Sequence, residues 1–105
     1  MSLQSISSVG LSGINAATLQ QFAASSNIAN SSNNTTRRLL VEQSTMPDGS
    51  VSAKLRSASE GTTQNSSGLV TDIITQITAL YSFKANVITI RTADELIGAT
   101  LNIRA

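Results

Sequence analysis

Apolar positions recur along this chain with two different periods. Between residues 3 and 32, Leu11, Ile14, Thr18 or Leu19, Phe22, Ser25 or Ser26, and Ala29 fall three and four apart, which lines one face of a helix. The stripe is weak because half of it is small or polar. Gly10 and Gly13 each cost roughly 0.8–1 kcal/mol of helix propensity against Ala, so the start of this helix depends on packing. From Arg37 the period shortens. Arg38–Glu42 and Val51–Arg56 read as strands on either side of Met46-Pro47-Asp48-Gly49. Pro47 presets φ at the first turn position and Gly49 supplies the positive φ of a type I turn with a bulge. Val51, Ala53 and Leu55 alternate with Ser52, Lys54 and Arg56, so one face is expected to pack and the other to stay wet.

The stretch Ser57–Gly68 has almost no apolar residue and reads as a mobile loop. Beyond it, Val70, Ile73, Ile77, Tyr81, Ala85, Ile88, Thr92, Leu96, Ala99 and Ile103 cover 33 residues in nine steps, close to the period of a straight α-helix. A second set, Phe83, Val87, Ile90, Asp94, Ile97 and Leu101, lies on another side of the same cylinder. The expected fold is therefore mainly α: long N- and C-terminal helices packed as an antiparallel or coiled-coil pair, with a short central β-hairpin. The three parts are 1–32 (N-terminal helix), 33–67 (hairpin and flexible loop) and 68–105 (C-terminal long helix).

Composition narrows the chemistry. The 105 residues include neither Cys nor His, which removes disulfides, thiol chemistry, most transition-metal sites and the commonest general base. Seven basic against six acidic residues leave a net charge of +1, too little to attract nucleic acid or an anionic membrane over long range. Ser, Thr, Asn and Gln supply 43 of the 105 residues, so the expected surface is polar and nearly uncharged. No apolar run exceeds three residues, as at Leu39–Val41, so membrane insertion is not expected. The N-terminus has no basic region followed by an apolar stretch, so no cleaved secretory signal is expected.

No motif points to catalysis. Asp94 and Glu95 are adjacent, so on a helix they point about 100° apart and cannot share a substrate. Arg91 lies four residues before Glu95 and suits a surface ion pair. Gly10-Leu11-Ser12-Gly13 and Ser67-Gly68 lack the spacing of a phosphate loop. Asn27–Asn34 suits a helix stop running into turns, because Asn tolerates the left-handed conformation. No enzyme activity, cofactor or metal is expected.

The two ends together carry a resemblance. Gly10-Leu11-Ser12-Gly13-Ile14-Asn15-Ala16-Ala17, leading to Ala24-Ser25-Ser26-Asn27-Ile28-Ala29-Asn30-Ser31, resembles the N-terminal signature of bacterial flagellar rod and hook proteins. Phe83-Lys84-Ala85-Asn86, then Thr92-Ala93-Asp94-Glu95-Leu96, then Leu101-Asn102-Ile103-Arg104, is similar to the C-terminal pattern of that axial family. With a middle of about 35 residues and no large outer domain, the chain is closest in size to a small basal-body rod protein. The resemblance implies a structural, non-catalytic subunit whose terminal helices pair and stack around a channel. It implies export through the flagellar type III apparatus without a cleaved signal, and a place in the rod that spans the periplasm. The implied partners are further copies of the chain, as a homo-oligomer, together with other axial proteins and the export apparatus.

Leu11, Ile14, Phe22 and Ile28 are expected to face Ile73, Ile77, Ile88 and Leu96 within the subunit. Phe83, Val87, Ile90, Ile97 and Leu101 are expected to meet neighbouring subunits. A self-associating helical binding module, such as a hook or assembly-related paralogue, fits the same stripes.

Overall fold

The computed structural model describes residues 3–32, 37–58 and 66–104. Helix α1 (Leu3–Ala29) leads into strands β1 (Leu39–Thr45) and β2 (Val51–Ser57), and helix α2 (Ser66–Arg104) completes the chain. The fold is mainly helical: two long helices pack on each other with a short antiparallel hairpin between them in sequence, as the periodicity predicts. Most of the expected mobile loop, residues 59–65, lies outside the described residues, as do Asn33–Thr36. The long helix begins at Ser66, two residues before the expected boundary, and α1 ends at Ala29, before the expected 32.

The molecule measures 62 × 24 × 14 Å. Its long dimension is that of α2, since 39 residues rising 1.5 Å each span about 58 Å. The radius of gyration is 17.6 Å, against about 13 Å for a compact chain of this length. Threonines inside the helices satisfy their hydroxyls one turn back: Thr18 Oγ1 donates to Ile14 O at 2.8 Å, and Thr100 Oγ1 to Leu96 O at 2.8 Å.

The hairpin closes as the turn chemistry requires. Gly49 has φ 90°, its N–H donates to Met46 O at 2.9 Å, and Met46 N–H donates to Ser50 O at 2.8 Å. Asp48 Oδ1 accepts from Ser50 N–H at 2.9 Å and from Ser50 Oγ at 2.6 Å. These hydrogen bonds, the hydroxyl's first, hold the Asp48 carboxyl below its ordinary pKa of 3.8. Pairing runs from Leu39↔Ser57 to Thr45↔Val51. The expected alternation of wet and packed residues is not observed. Val51, Ser52 and Ala53 are all half-buried whereas Leu55 is exposed, because the hairpin lies obliquely along α1 and only part of each strand reaches it.

At its C-terminus α1 stops without a left-handed Asn. No described non-Gly residue has positive φ. Instead Asn30 N–H and Asn30 Nδ2 both donate to Ser26 O, at 3.0 and 2.8 Å, and Ser31 N–H donates to Ile28 O. The Asn-rich segment ends the helix by supplying extra donors to its last carbonyls.

Candidate assembly interface

The packing between the helices decides which surfaces remain for a partner. The buried apolar residues among those described are all alanines: Ala16, Ala17, Ala23, Ala24, Ala58, Ala79 and Ala93. On α1 the seam follows Gly10, Gly13, Ala17, Gln20, Ala24 and Asn27, in steps of three and four. On α2 it follows Asp72, Gln76, Ala79, Phe83, Asn86, Ile90, Ala93 and Ile97, in steps of four and three. Cross-contacts fix an antiparallel register. A Cβ built on Gly10 would lie 2.7 Å from Ile90 Cγ1, and one on Gly13 would lie 2.5 Å from Asn86 Oδ1. Farther along, Gln21 Nε2 donates to Gln76 O at 2.7 Å, and Gln76 Nε2 donates to Ser25 Oγ at 2.8 Å. Small residues let the backbones approach closely, and here the two glycines make room for specific side chains of α2.

One end of the seam is polar. Buried Asn27 pairs with the backbone of Leu39 as a neighbouring strand would: Nδ2 donates to Leu39 O at 2.9 Å and Oδ1 accepts from Leu39 N–H at 2.8 Å. Arg38 makes a two-pronged contact with buried Asp72, Nη1 to Oδ2 at 3.0 Å and Nη2 to Oδ1 at 2.6 Å. This cluster joins α1, the hairpin stem and α2. At the far end of the hairpin, Ser12 Oγ accepts from Val51 N–H at 3.0 Å and donates to Val9 O at 2.6 Å. Ser12 and Asn27 stand fifteen residues apart, about 22 Å of helix, which matches the length of a seven-residue strand.

The hairpin occupies one flank of the helix pair. Gln43 and Val51 share a cleft with Val9, Ala16 and with Thr78 and Ser82 of α2. Leu39–Val41 share another, of about 210 Å³, with Ala23, Thr71 and Thr75. The hairpin therefore packs on α1, and Thr71, Thr75, Thr78 and Ser82 of α2 form the far wall of the clefts beside it. The other side of α2, where Ile73, Leu80 and Val87 recur every seven residues, carries no further element among the described residues.

This arrangement revises the expected division of residues. Leu11, Phe22, Ile73, Ile77, Ile88 and Leu96, expected to hold the two helices together, are exposed in the subunit; only Ile14 and Ile28 of that set are half-buried. Conversely Ile90 and Ile97, expected to meet neighbours, are half-buried, and Ile90 rests on Gly10 in the seam. The physical reason is size. Large side chains hold helices apart, and the close antiparallel contact selects the small residues instead. Phe83 lies in the seam yet stays 38% exposed, Val87 beside it is 41% exposed, and Leu101 is exposed near the end of α2, beyond the point where α1 begins.

An apolar ridge on α2 was legible only in part. Val70, Ile73, Ile74, Ile77, Leu80 and Tyr81 are all 45% or more exposed. Ile74 and Leu80 belong to neither periodic set, yet the i, i+3, i+4, i+7 spacing from Val70 would have found both. Further along the same face stand Lys84, Arg91 and Glu95. Arg91 Nε and Glu95 Oε1 stand 3.8 Å apart and both are strongly exposed, so the expected pair forms and adds little to stability.

Helix α2 is more apolar than its short apolar runs imply. By length and mean hydropathy, the stretch Gly68–Ile103 of α2 meets the requirement for a span, although no run is long, because Thr and Ala count little against it. Lys84, Arg91, Asp94 and Glu95 within it would each cost about 2.5–3.5 kcal/mol at a bilayer centre. Among the described residues no three acidic side chains gather where they could hold a metal ion.

Comparison with models of known protein families and with curated proteins gives no match to this chain.

Proposed function

We propose that the chain is a structural subunit of the bacterial flagellar basal-body rod, self-assembling through its terminal helices into a helical axial structure. The observation that carries the reading is an elongated helix pair whose core is alanine while its large apolar residues point outward. A monomer gains nothing from such a surface, whereas a subunit that buries it against neighbours does. The terminal patterns described above support the axial family in particular, and both lie on the paired helices. Neighbouring subunits then cover exposed large residues such as Val87, Ile88 and Leu101. Other axial proteins would dock on the same helices, and the chain would travel unfolded through the export apparatus.

Solution mass measured against concentration, with electron microscopy of the concentrated samples, tests this reading. Open-ended growth into filaments is the expected result, with Leu101→Asp blocking growth while leaving the helix content unchanged. A species that stops at a fixed small mass at every concentration overturns it in favour of a closed binding module.

A further inference from the structure

The apolar ridge of α2 has a symmetry of its own. Val70, Ile73, Ile74, Ile77, Leu80 and Tyr81, with Lys84, stand at −7, −4, −3, 0, +3, +4 and +7 from Ile77. Laid antiparallel on a second copy about a two-fold axis through Ile77, the ridge sets Ile73 beside Leu80 on one edge, Ile74 beside Tyr81 on the other, and Ile77 against itself. Val70 then lies under the aliphatic stem of Lys84, whose ammonium can reach water.

Charge selects this orientation. Arg91, Asp94 and Glu95 fall outside the overlap in the antiparallel arrangement. In a parallel in-register pairing, Lys84, Arg91 and Glu95 would each meet their own like charge.

The surface is also large enough. The chain exposes 6958 Å², whereas a compact monomer of 10.9 kDa exposes about 5,600 Å². From their exposures, the six ridge side chains supply at most roughly 600 Å² per copy, or roughly 1,200 Å² for a pair on complete burial, which reaches the lower bound for a specific interface.

We propose that a second copy of this chain docks on the ridge, forming a closed antiparallel dimer with its two-fold axis at Ile77. Such a contact is isologous and cannot propagate, so it is distinct from any contact that lengthens a filament and does not rest on the rod reading. It masks the most apolar part of α2 in subunits that have not been assembled.

The chain has no cysteine, so one introduced thiol reports on one position. The full-length Ile77→Cys variant should oxidise to a disulfide-linked dimer. Ile88→Cys should not, because two copies of residue 88 lie about 33 Å apart along antiparallel helices paired at 77. Ile77→Asp should keep the circular dichroism of the parent chain and raise the dimer dissociation constant more than about tenfold, since it places two like charges in an apolar contact. A monomer at all concentrations overturns the proposal, as does cross-linking at both positions, which marks a parallel pair. Filament growth with cross-linking at Ile88→Cys and none at Ile77→Cys also overturns it while leaving the rod reading intact.

Discussion

The two sides of α2 are built from opposite materials. Against α1 the helix presents Asp72, Gln76, Ala79, Phe83, Asn86, Ile90, Ala93 and Ile97, and the members of that seam that are buried, Asp72, Ala79 and Ala93, are small or polar. Away from α1 it presents isoleucines, leucine and tyrosine, with Tyr81 67% exposed and Ile103 85%. A hydrophobicity count alone assigns these sides the wrong way round. What brings two helices close is small volume, and what a partner can grip is large apolar area, so in this chain the more apolar side is the one left outside.

That contrast can be broken first at the polar end of the seam. Asp72→Ala removes the two-pronged carboxylate contact of the Arg38 guanidinium beside buried Asn27 and loosens the hairpin stem from α2. The loss should be about 3 kcal/mol, at the low end for a broken buried pair because the Arg38 side chain keeps 12% of its surface in water. Denaturant unfolding of Asp72→Ala against the parent measures it, and an unchanged midpoint would show that the cluster contributes nothing.

Glycine sharpens the contrast further. Gly10→Ala gains helix propensity but places a methyl 2.7 Å from Ile90 Cγ1, so the helices must shift and the net effect should be a loss of about 1 kcal/mol. Gly98→Ala meets nothing within 4 Å and should instead gain about 0.8–1 kcal/mol from propensity alone. Thermal melts of the two variants should therefore move in opposite directions; two shifts of the same sign would mean that Gly10 is not needed for close approach.

The smallest effect lies outside both sides of α2, at the hairpin turn. Folding lowers the Asp48 pKa, so its contribution is fully present above the ordinary value of 3.8 and is lost as pH falls through the lower folded value. Amide chemical shifts of Gly49 and Ser50 should follow that acid transition with α1 and α2 unaffected, and Asp48→Asn should abolish it. A transition shared by the helices would tie the turn to the whole fold.

The order and type of the elements were legible because each depends on local chemistry. Pro47, Asp48 and Gly49 specify the turn within four residues, and the 3.6-residue period of α2 is sustained over ten turns. Facing was less legible. Gly10 and Gly13 read from sequence as weak points of a helix, and only beside Ile90 and Asn86 do they become the sites of closest approach. Ile90 and Ile97 belong to an apolar stripe that could have pointed either way. Asn27 reads as a helix stop, but its amide instead pairs with the backbone of Leu39.

The sequence by itself determined two long helices, a hairpin between them, and a chain with no thiol or imidazole chemistry. Tertiary structure decided which stripe was buried, because a helix with apolar residues on several sides satisfies local periodicity in more than one orientation. The choice falls to a non-local quantity, how near two backbones can come, and it is set jointly by residues some 60–80 positions apart, such as Gly10 with Ile90 and Gly13 with Asn86.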